Sequence, residues 1–222
     1  MCGKFTAKAS WSEIVDFIHS TPPREAGDSD RTLTYRVMGP VPLIVWDPVV
    51  RKRRAVPMRW GFPHPQDWKR PQPIHARAET IDTTRAFADA FRDGQRGIAL
   101  VETFNEAPDS GVQHVVTPEG AIGIAFVWRR FEILGPPQSF FACVMVTVAA
   151  NMLLSGLPTD RMPAILAPDD WATWLGEEPA SIEEVKACLK TVDGAHWTMS
   201  PEERAKSARR AKPTVSDPAG LF

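Results

Sequence analysis

The apolar positions of this chain mostly follow the spacing of β-strands, and only a few short segments follow helical spacing. Four segments rich in apolar and β-branched residues predict strands at 97–104, 112–117, 120–126 and 140–148. The sequence from Pro118 to Gly120 predicts a hairpin turn between two of these strands. The pattern therefore indicates a domain in which strands dominate.

Proline changes the interpretation of two further segments. Residues 41–50 are apolar and β-branched, but Pro42 and Pro48 interrupt them, which predicts a short strand or an edge strand. Residues 61–73 contain four prolines and predict an irregular loop. Residues 21–30 combine proline, glycine and acidic side chains, so we expect an exposed loop there.

Helical spacing is confined to short segments. We expect helices at 10–20, 83–92, 169–175 and 181–189. Ser181 begins the last of these and Glu184 follows three residues later, which is the spacing of a capping box. The end of the chain is polar and shows little periodicity. The sequence therefore predicts one α+β domain over residues 1–200 and a polar, flexible tail over residues 201–222.

Composition narrows the class of protein. The chain has 222 residues, of which 43% are hydrophobic and 24% charged, so a mainly disordered protein is excluded. No run of about 18 apolar residues predicts a membrane span, and the first residues lack the pattern of a signal peptide. The three cysteines, Cys2, Cys143 and Cys188, cannot form a complete disulfide framework and do not have zinc-ligand spacing. We therefore expect a cytoplasmic protein without a metal.

The distribution of charge adds a candidate binding surface. The net charge of -1 excludes a uniformly basic nucleic-acid binder but permits a basic patch. Residues 51–77 hold eight basic side chains against one acidic side chain, Asp67, which is a local charge of +7, and Trp60, Phe62 and Trp68 lie among them. This combination suits single-stranded nucleic acid, because cations contact phosphates and rings stack on bases. The alternative is a solvated charged strand and loop whose tryptophans belong to the core.

Cys2 is a candidate for covalent chemistry, because it follows the initiator methionine. Removal of Met1 would place a free α-amine beside the thiol. The amine has a reference pKa of about 7.7–8.0, so part of it is unprotonated near neutral pH and can form an imine with an aldehyde. The thiolate can then close a thiazolidine ring. The alternative is that Cys2 has no chemical role.

Six short motifs, in order along the chain, resemble those of the SOS response-associated peptidase (SRAP) family. They are MCGKF at 1–5, RWGF at 59–62, HARAET at 75–80, FNEA at 104–107, VTVAAN at 146–151 and DRMPAIL at 160–166. Each motif is short, but their number and common order make the combination specific. On these motifs the chain is identified as a divergent member of that family.

The resemblance implies an α+β fold with a mainly antiparallel, β-barrel-like core and peripheral helices. Proteins of this family bind single-stranded DNA and trap abasic sites, whose ring-opened sugar aldehyde forms a thiazolidine crosslink with the N-terminal cysteine. Removal of Met1, or of a short propeptide, is attributed to the family itself. The expected partner is therefore single-stranded DNA containing abasic sites, with the protein at the nucleoid when bound. No cofactor is expected.

The resemblance also assigns roles to individual residues. Cys2 matches the nucleophile, and Glu106 matches a proton shuttle near the amine and the sugar, whose pKa burial would raise towards neutrality. The residues expected to contact DNA are Lys4, Arg59, Trp68, Arg77 and Arg161. Trp68 lies in the loop where the family places a stacking aromatic ring. Lys4 keeps the charge of the family's arginine but not its bidentate geometry.

His75 departs from the family pattern, because the family has an asparagine at this position. A neutral histidine still offers one hydrogen-bond donor and one acceptor. A protonated His75 would instead favour the neutral form of a neighbouring amine. The alternative is that His75 is a tolerated polar residue. In the motif around Glu106, Asn105 replaces a tyrosine and Ala107 a tryptophan, and these changes look structural.

Thr159 is the more serious departure. It stands where the family has a histidine that is thought to assist ring opening or reversal of the crosslink, and threonine cannot act as a base near pH 7. Three interpretations are open. His75 takes over this step, which requires the two positions to face one cavity; Asp160 substitutes; or the step is slow or lost.

Three functions are therefore compared. The first is covalent capture of abasic sites through Cys2. The second is a catalytically weakened member that binds single-stranded DNA without crosslinking, as Thr159 and His75 suggest. The third is a peptidase acting on other proteins, which would need a histidine near the Cys2 thiol. We expect a monomer, because the resemblance implies a single-domain reader.

Overall fold

A computed structural model of the chain describes residues 2–7, 32–64, 73–107, 111–133 and 138–202. The helix expected at 10–20 and the loop expected at 21–30 lie outside these residues. Most of the loop expected at 61–73 and nearly all of the expected tail also lie outside them.

Most of the described chain forms strands. In chain order these are β1 (Lys4–Ala7), β2 (Leu33–Arg36), β3 (Pro40–Asp47), β4 (Lys52–Trp60), β5 (His75–Arg77), β6 (Arg96–Val101), β7 (Thr103–Glu106), β8 (His114–Thr117), β9 (Ile122–Ile133), β10 (Gln138–Ala149), β11 (Arg161–Pro163), β12 (Ile165–Leu166) and β13 (Thr198–Pro201). The α-helices are α1 (Ala88–Arg92), α2 (Trp171–Leu175) and α3 (Ile182–Ala187), with 3-10 turns at Ala78–Thr80, Leu154–Gly156 and Pro168–Asp170.

Five strands close into a barrel. The ring runs β10, β4, β3, β6, β9 and back to β10, and its pairs are antiparallel except for the parallel pair of β4 and β10. Side chains alternate between the two faces of a strand, so one face of each strand fills the interior. Leu43, Trp60, Phe126 and Met145 are fully buried. The prediction of an α+β domain with a mainly antiparallel, barrel-like core is confirmed.

A second sheet brings the beginning of the chain to the barrel. Its strands are all antiparallel, in the order β13, β8, β7, β1 and β2. Phe5 of β1 lies 5.3 Å from Trp60 and 6.4 Å from Phe126 between ring centroids, so β1 is fixed to the barrel core. This packing fixes the position of the neighbouring Cys2. The strand β13 extends to Pro201, so the fold continues past the predicted boundary at residue 200.

Two strand predictions need correction. The hairpin expected at Pro118 to Gly120 is wrong, because β8 pairs within the second sheet whereas β9 pairs within the barrel. The turn therefore passes the chain from one sheet to the other. The segment 97–104 is two strands, because the chain leaves the barrel at Glu102, whose backbone N–H donates to Thr6 in β1 at 2.9 Å.

The prediction of a short or edge strand at 41–50 is also wrong. The strand β3 has eight residues and lies between β4 and β6 in the barrel. Pro42 stands opposite Pro57, so the two residues without a backbone N–H face each other. Pairing with β6 is confined to Ile44, beyond the prolines. Proline is thus tolerated at positions where the pairing between strands does not require a backbone N–H donor.

The helices are short and lie outside the barrel. The helices expected near residues 169–175 and 181–189 are confirmed as α2 and α3. Of the segment 83–92, only Ala88–Arg92 forms a helix, and the residues before Ala88 form turns. Within the described residues, every helix falls short of the length and apolar character that a membrane span requires.

Replacing Ser181 by alanine is expected to lower the free energy of unfolding by about 1 kcal/mol. The Ser181 hydroxyl accepts a hydrogen bond from the Glu184 backbone N–H at 3.2 Å, and the Ser181 backbone N–H donates to the Glu184 carboxylate at 2.7 Å. Urea denaturation measures the difference. Glu183→Gln is the matched control, because Glu183 lies in the same turn outside the capping box. Equal effects of the two substitutions would contradict the assignment.

Candidate functional site

Cys2 lies just before β1, which is a central strand of the second sheet. Its side chain is only 2% exposed, and its thiol donates to the Lys4 carbonyl at 3.4 Å. Burial raises the pKa of this thiol well above its usual range, and the negative charge of Glu106 raises it further. The thiol is therefore protonated at neutral pH. A nearby base must take its proton before the sulfur can act as a nucleophile.

Glu106 is placed to be that base. It ends β7, which pairs with β1, and its side chain is 1% exposed. Burial raises the pKa of its carboxyl group to about 7. With Met1 present, the charge of the Met1 α-amine and a hydrogen bond from the Cys2 backbone N–H limit that rise. At neutral pH the carboxyl group therefore exists in both forms and can either give or take a proton.

The buried carboxyl group also predicts a pH-dependent stability. The pKa of Glu106 rises from 4.5 to about 7 on folding, so between these values the folded protein holds a proton that the unfolded chain has released. Wild-type stability should therefore fall as the pH rises through this window. The free energy of unfolding of Glu106→Gln, relative to that of wild type, is expected to rise by on the order of 3 kcal/mol between about pH 4 and pH 8. Denaturation at several pH values measures this, and a constant difference would contradict it.

His75 contacts the backbone of Cys2 and not its thiol. Its Nε2 donates to the Cys2 carbonyl oxygen at 2.6 Å, which fixes the tautomer with the proton on Nε2. Burial lowers the pKa of His75 from 6.5, so the ring is neutral at pH 7. Its Nδ1 is buried and accepts no hydrogen bond from the described residues. The ring therefore positions Cys2 and leaves one acceptor for a ligand. The histidine–thiol contact that a Cys-His protease needs is not formed by these two residues.

Thr159 stands just before β11. Its hydroxyl donates to the Arg161 carbonyl at 3.0 Å. Thr147 of β10 pairs with Arg77 on one side and with Pro163 on the other, so β5 and β11 lie on opposite sides of β10. Thr159 and His75 thus belong to segments that flank the same strand, and replacement of Thr159 by His75 stays a prediction. Asp160 is exposed, and within the described residues no contact joins it to Cys2.

Lys4, expected to contact DNA, is buried and forms an ion pair with Glu202. Glu202 follows β13, which places this residue of the expected tail beside the beginning of the chain.

Arg161 has a similar environment. Its guanidinium is bidentate to Glu79 at 2.7 and 2.9 Å and also donates to the Thr147 carbonyl at 2.5 Å. Both cations therefore have partners already, and their contacts with phosphate stay predictions.

The other predicted DNA contacts have different environments. Arg77 is exposed and lies near Glu79, whose pKa it helps to lower after the larger effect of Arg161. Arg59 is half-buried, with Nη2 3.6 Å from the Met38 sulfur. Trp68 lies outside the described residues. Of the predicted cations, Arg77 is thus the one that the structure leaves most accessible.

The basic stretch 51–77 is largely structural where it is described. Trp60 and Phe62 are core residues, with 0% and 4% exposure, so their rings are not available to stack on bases. Arg53 pairs with Glu177 at 2.5 Å and Arg54 with Asp47 at 2.8 Å. These contacts favour the interpretation of a charged strand above core tryptophans. Arg51 and Lys52, in contrast, are exposed.

Asn105 is a site residue that sequence reasoning missed. Its side chain is 3% exposed, and its Nδ2 donates to no described residue. Its backbone N–H faces the Cys2 thiol and lowers the thiol pKa slightly against the effect of burial. The available sequence signal was its place in the FNEA motif, directly before Glu106.

The described residues offer a thiol, a carboxyl group, an imidazole and an amide around Cys2. In the ranges that the structure covers, no three metal-binding side chains come together. All three cysteines are free, and Cys143 and Cys188 are buried in the core. The chemistry that this arrangement supports is nucleophilic addition by sulfur with proton transfer by the carboxyl group.

Several solved structures share this fold. A protein from Bacteroides thetaiotaomicron has 16% identity and a TM-score of 0.75, over 91% of this chain and 92% of that chain. A protein from Bordetella bronchiseptica has 19% identity and a TM-score of 0.74, over 91% and 100% of the two chains. A phage-related protein from the same organism has 18% identity and a TM-score of 0.64, over 91% and 95%. These likenesses concern the fold alone.

A search of curated proteins found no match. In a scan of protein families, the family described as "SOS response associated peptidase (SRAP)" matches residues 1–205. The match includes all six sequence motifs and every candidate site residue.

Proposed function

The chain belongs to the SOS response associated peptidase (SRAP) family, and from this premise we propose that it binds single-stranded DNA and captures abasic sites covalently through Cys2. The observation that carries the proposal is the pairing of a buried thiol with the buried carboxyl group of Glu106, whose pKa is about 7. A general acid–base catalyst works best when its pKa lies near the working pH.

The first step of the proposed reaction needs a free amine on Cys2, which removal of Met1 would supply. The neutral amine attacks the aldehyde carbon of the ring-opened sugar and forms a carbinolamine. Loss of one water, with Glu106 donating a proton to the leaving hydroxyl group, gives the protonated imine and leaves Glu106 as a carboxylate. The carbon–oxygen bond of the aldehyde is thereby replaced by a carbon–nitrogen bond.

The second step closes the ring. The Cys2 sulfur adds to the carbon of the protonated imine, and the thiol proton passes to the Glu106 carboxylate, which restores the carboxyl group. The burial that raises the thiol pKa makes this relay necessary, because little thiolate exists beforehand. The product is a thiazolidine, and one water has been lost in the whole sequence. The neutral ring of His75, bonded to the Cys2 carbonyl, would hold the nucleophile in place.

The DNA strand would be held by cations around the site. We assign the main phosphate contact to Arg77, which is exposed, and further contacts to Arg59 and the loop with Trp68. Arg161 is assigned a positioning role, because its guanidinium already joins β11 to Glu79 and to β10. Lys4 would reach phosphate only if its ion pair with Glu202 opens.

A denaturing gel tests this proposal. The protein is incubated with a single-stranded oligonucleotide that carries one abasic site, and with the same oligonucleotide without it. We expect a slower-migrating adduct with the abasic strand alone. Equal mobility of the protein with both strands would contradict covalent capture.

A weakened DNA-binding member remains the second candidate, and Thr159 is the observation that favours it. Its hydroxyl is bonded to Arg161 and cannot act as a base near neutral pH. This candidate predicts equal, salt-dependent binding of intact and abasic strands without an adduct. Thr159→His would then be the variant that restores chemistry.

A further inference from the structure

An open groove lies at one end of the barrel, where the hairpin of β3 and β4 turns. Its volume is about 800 Å³. Val45, Val56 and Met58 form its apolar floor, and Trp128 and Phe141 stand on one wall. Mouths of β-barrels are common positions for ligands, because side chains from several strands converge there.

The groove is distinct from the Cys2 site. Its lining residues in β4 run from Arg54 to Met58, and Trp60 lies two to six residues further along the strand, which corresponds to roughly 7 to 20 Å. Trp60 belongs to the Cys2 end of the barrel, since its ring lies 6.4 Å from that of His75. None of the residues assigned to the chemistry lines the groove. It is therefore a separate surface on the same barrel.

Aromatic rings form the accessible wall of the groove. Phe141 is 40% exposed, although it belongs to a barrel strand, and Trp128 is half-buried. Their ring centroids are 5.7 Å apart in an edge-to-face arrangement, so each ring holds the other in place. An exposed, oriented ring beside an apolar floor is suited to pack against a planar group.

The rim of the groove carries positive charge. Arg51 and Lys52 in the hairpin, Arg92 at the end of α1, and Arg130, opposite Phe141 in β9, are all exposed. Among the described residues, none of these four cations forms an ion pair. Two acidic side chains, Asp47 and Asp93, also line the groove, and Arg54 neutralises Asp47 at 2.8 Å. The surface therefore complements an anion with planar groups.

We propose that this groove is a second binding site for single-stranded DNA, in which an unpaired base packs against Phe141 and phosphates lie along Arg51, Lys52 and Arg130. Base stacking and backbone cations are the two contacts by which proteins hold single strands without sequence preference. The proposal rests on the proposed function, because the strand is the one whose abasic site lies at Cys2. It also gives a role to the part of the basic stretch that the core does not use.

Strand length separates the two sites experimentally. Each nucleotide added on either side of an abasic site extends the reach of the strand beyond Cys2. We expect an oligonucleotide of about 4 nucleotides to occupy the Cys2 site, and one of about 16 nucleotides to cover the groove as well. Affinity is measured by fluorescence anisotropy with intact strands, and capture by denaturing gel with abasic strands.

Phe141→Ala is expected to weaken binding of the longer strand by at least about fivefold and to leave the shorter strand unchanged. Phe141→Tyr, which keeps the ring, should retain the affinity. A second variant, Arg51→Glu with Lys52→Glu, should also weaken only the longer strand and reduce its salt dependence. Its matched control is Arg85→Glu with Lys190→Glu, which makes the same charge change at exposed positions outside the groove.

The outcomes distinguish the two proposals. Capture of the short abasic strand, with no loss of affinity for the long strand in either groove variant, would overturn the groove site and leave the proposed function intact. Binding of the long intact strand that depends on Phe141, without capture of any abasic strand, would support the groove and overturn covalent capture. Absence of any DNA binding would overturn both.

Discussion

Replacing Cys2 by alanine is expected to abolish the adduct between the protein and abasic single-stranded DNA. The thiazolidine needs the sulfur of Cys2 as well as its amine, and alanine keeps only the amine. An imine formed by alanine is hydrolysed on denaturation, so the adduct should fall below detection. The assay is the denaturing gel, with noncovalent affinity for intact DNA measured in parallel. That affinity should stay close to wild type, because the substitution removes no charge.

Cys188→Ala is the matched control for this prediction. Cys188 is also a free cysteine, and its side chain is 4% exposed, but it follows α3, outside the candidate site. Its replacement should leave the adduct intact. Cys2→Ser adds a second control, because it replaces the thiol by a hydroxyl group of similar size and so lacks the reactive sulfur. An adduct that persists in Cys2→Ala would show that another group reacts with the aldehyde.

Glu106→Gln is expected to slow covalent capture by about 10² to 10⁴-fold, the usual contribution of a general acid–base catalyst. Glutamine has the size of glutamate and can donate a hydrogen bond, but it cannot relay the proton from the Cys2 sulfur. The wild-type rate should change across pH 7, because the Glu106 pKa is about 7. In Glu106→Gln, this change of the rate across pH 7 should be absent. Single-turnover rates at several pH values measure both effects.

Glu102→Gln provides the control for the loss of a carboxyl group. Glu102 lies four residues earlier, between β6 and β7, and is half-buried. Its replacement should change the rate by less than about twofold, since it has no assigned role in proton transfer. A wild-type pH profile in Glu106→Gln would mean that another group carries the proton.

Local patterns predicted much of the fold. The spacing of apolar and β-branched residues located the barrel strands β9 and β10, and Ser181 with Glu184 located the start of α3. These features depend on side chains within a few residues of one another, so a single sequence contains the information. Glu106, in contrast, was identified by its match to the family motif, because its strand Thr103–Glu106 contains only one apolar residue, Phe104.

Other features depend on contacts between distant segments. The parallel pairing of β4 with β10 and the pairing of β6 with β9 help to close the barrel, and neither has a local signal. Lys4 and Glu202 are 198 residues apart in sequence, and Arg161 and Glu79 are 82 apart. A basic residue that the sequence predicts to contact DNA can therefore be paired with an acidic residue in the fold. The prediction for β3 was wrong for the same reason. The positions of the neighbouring strands decide which backbone N–H groups of β3 must donate hydrogen bonds, and so where proline is tolerated.

The fold also explains why the basic stretch was difficult to interpret. Its tryptophan and phenylalanine at positions 60 and 62 fill the core, whereas the accessible ring near its cations is Phe141. That ring comes from a strand more than eighty residues away in the chain, so the combination of cations and accessible aromatic surface forms only when the barrel closes.

Intact mass spectrometry tests covalent capture through Cys2 most directly. The purified protein is measured before and after incubation with single-stranded DNA that carries one abasic site. We predict a protein without Met1 that gains the mass of the DNA strand less one water, since imine formation releases one water and ring closure releases none. A protein that lacks Met1 and binds the strand, yet gains no mass, would contradict covalent capture.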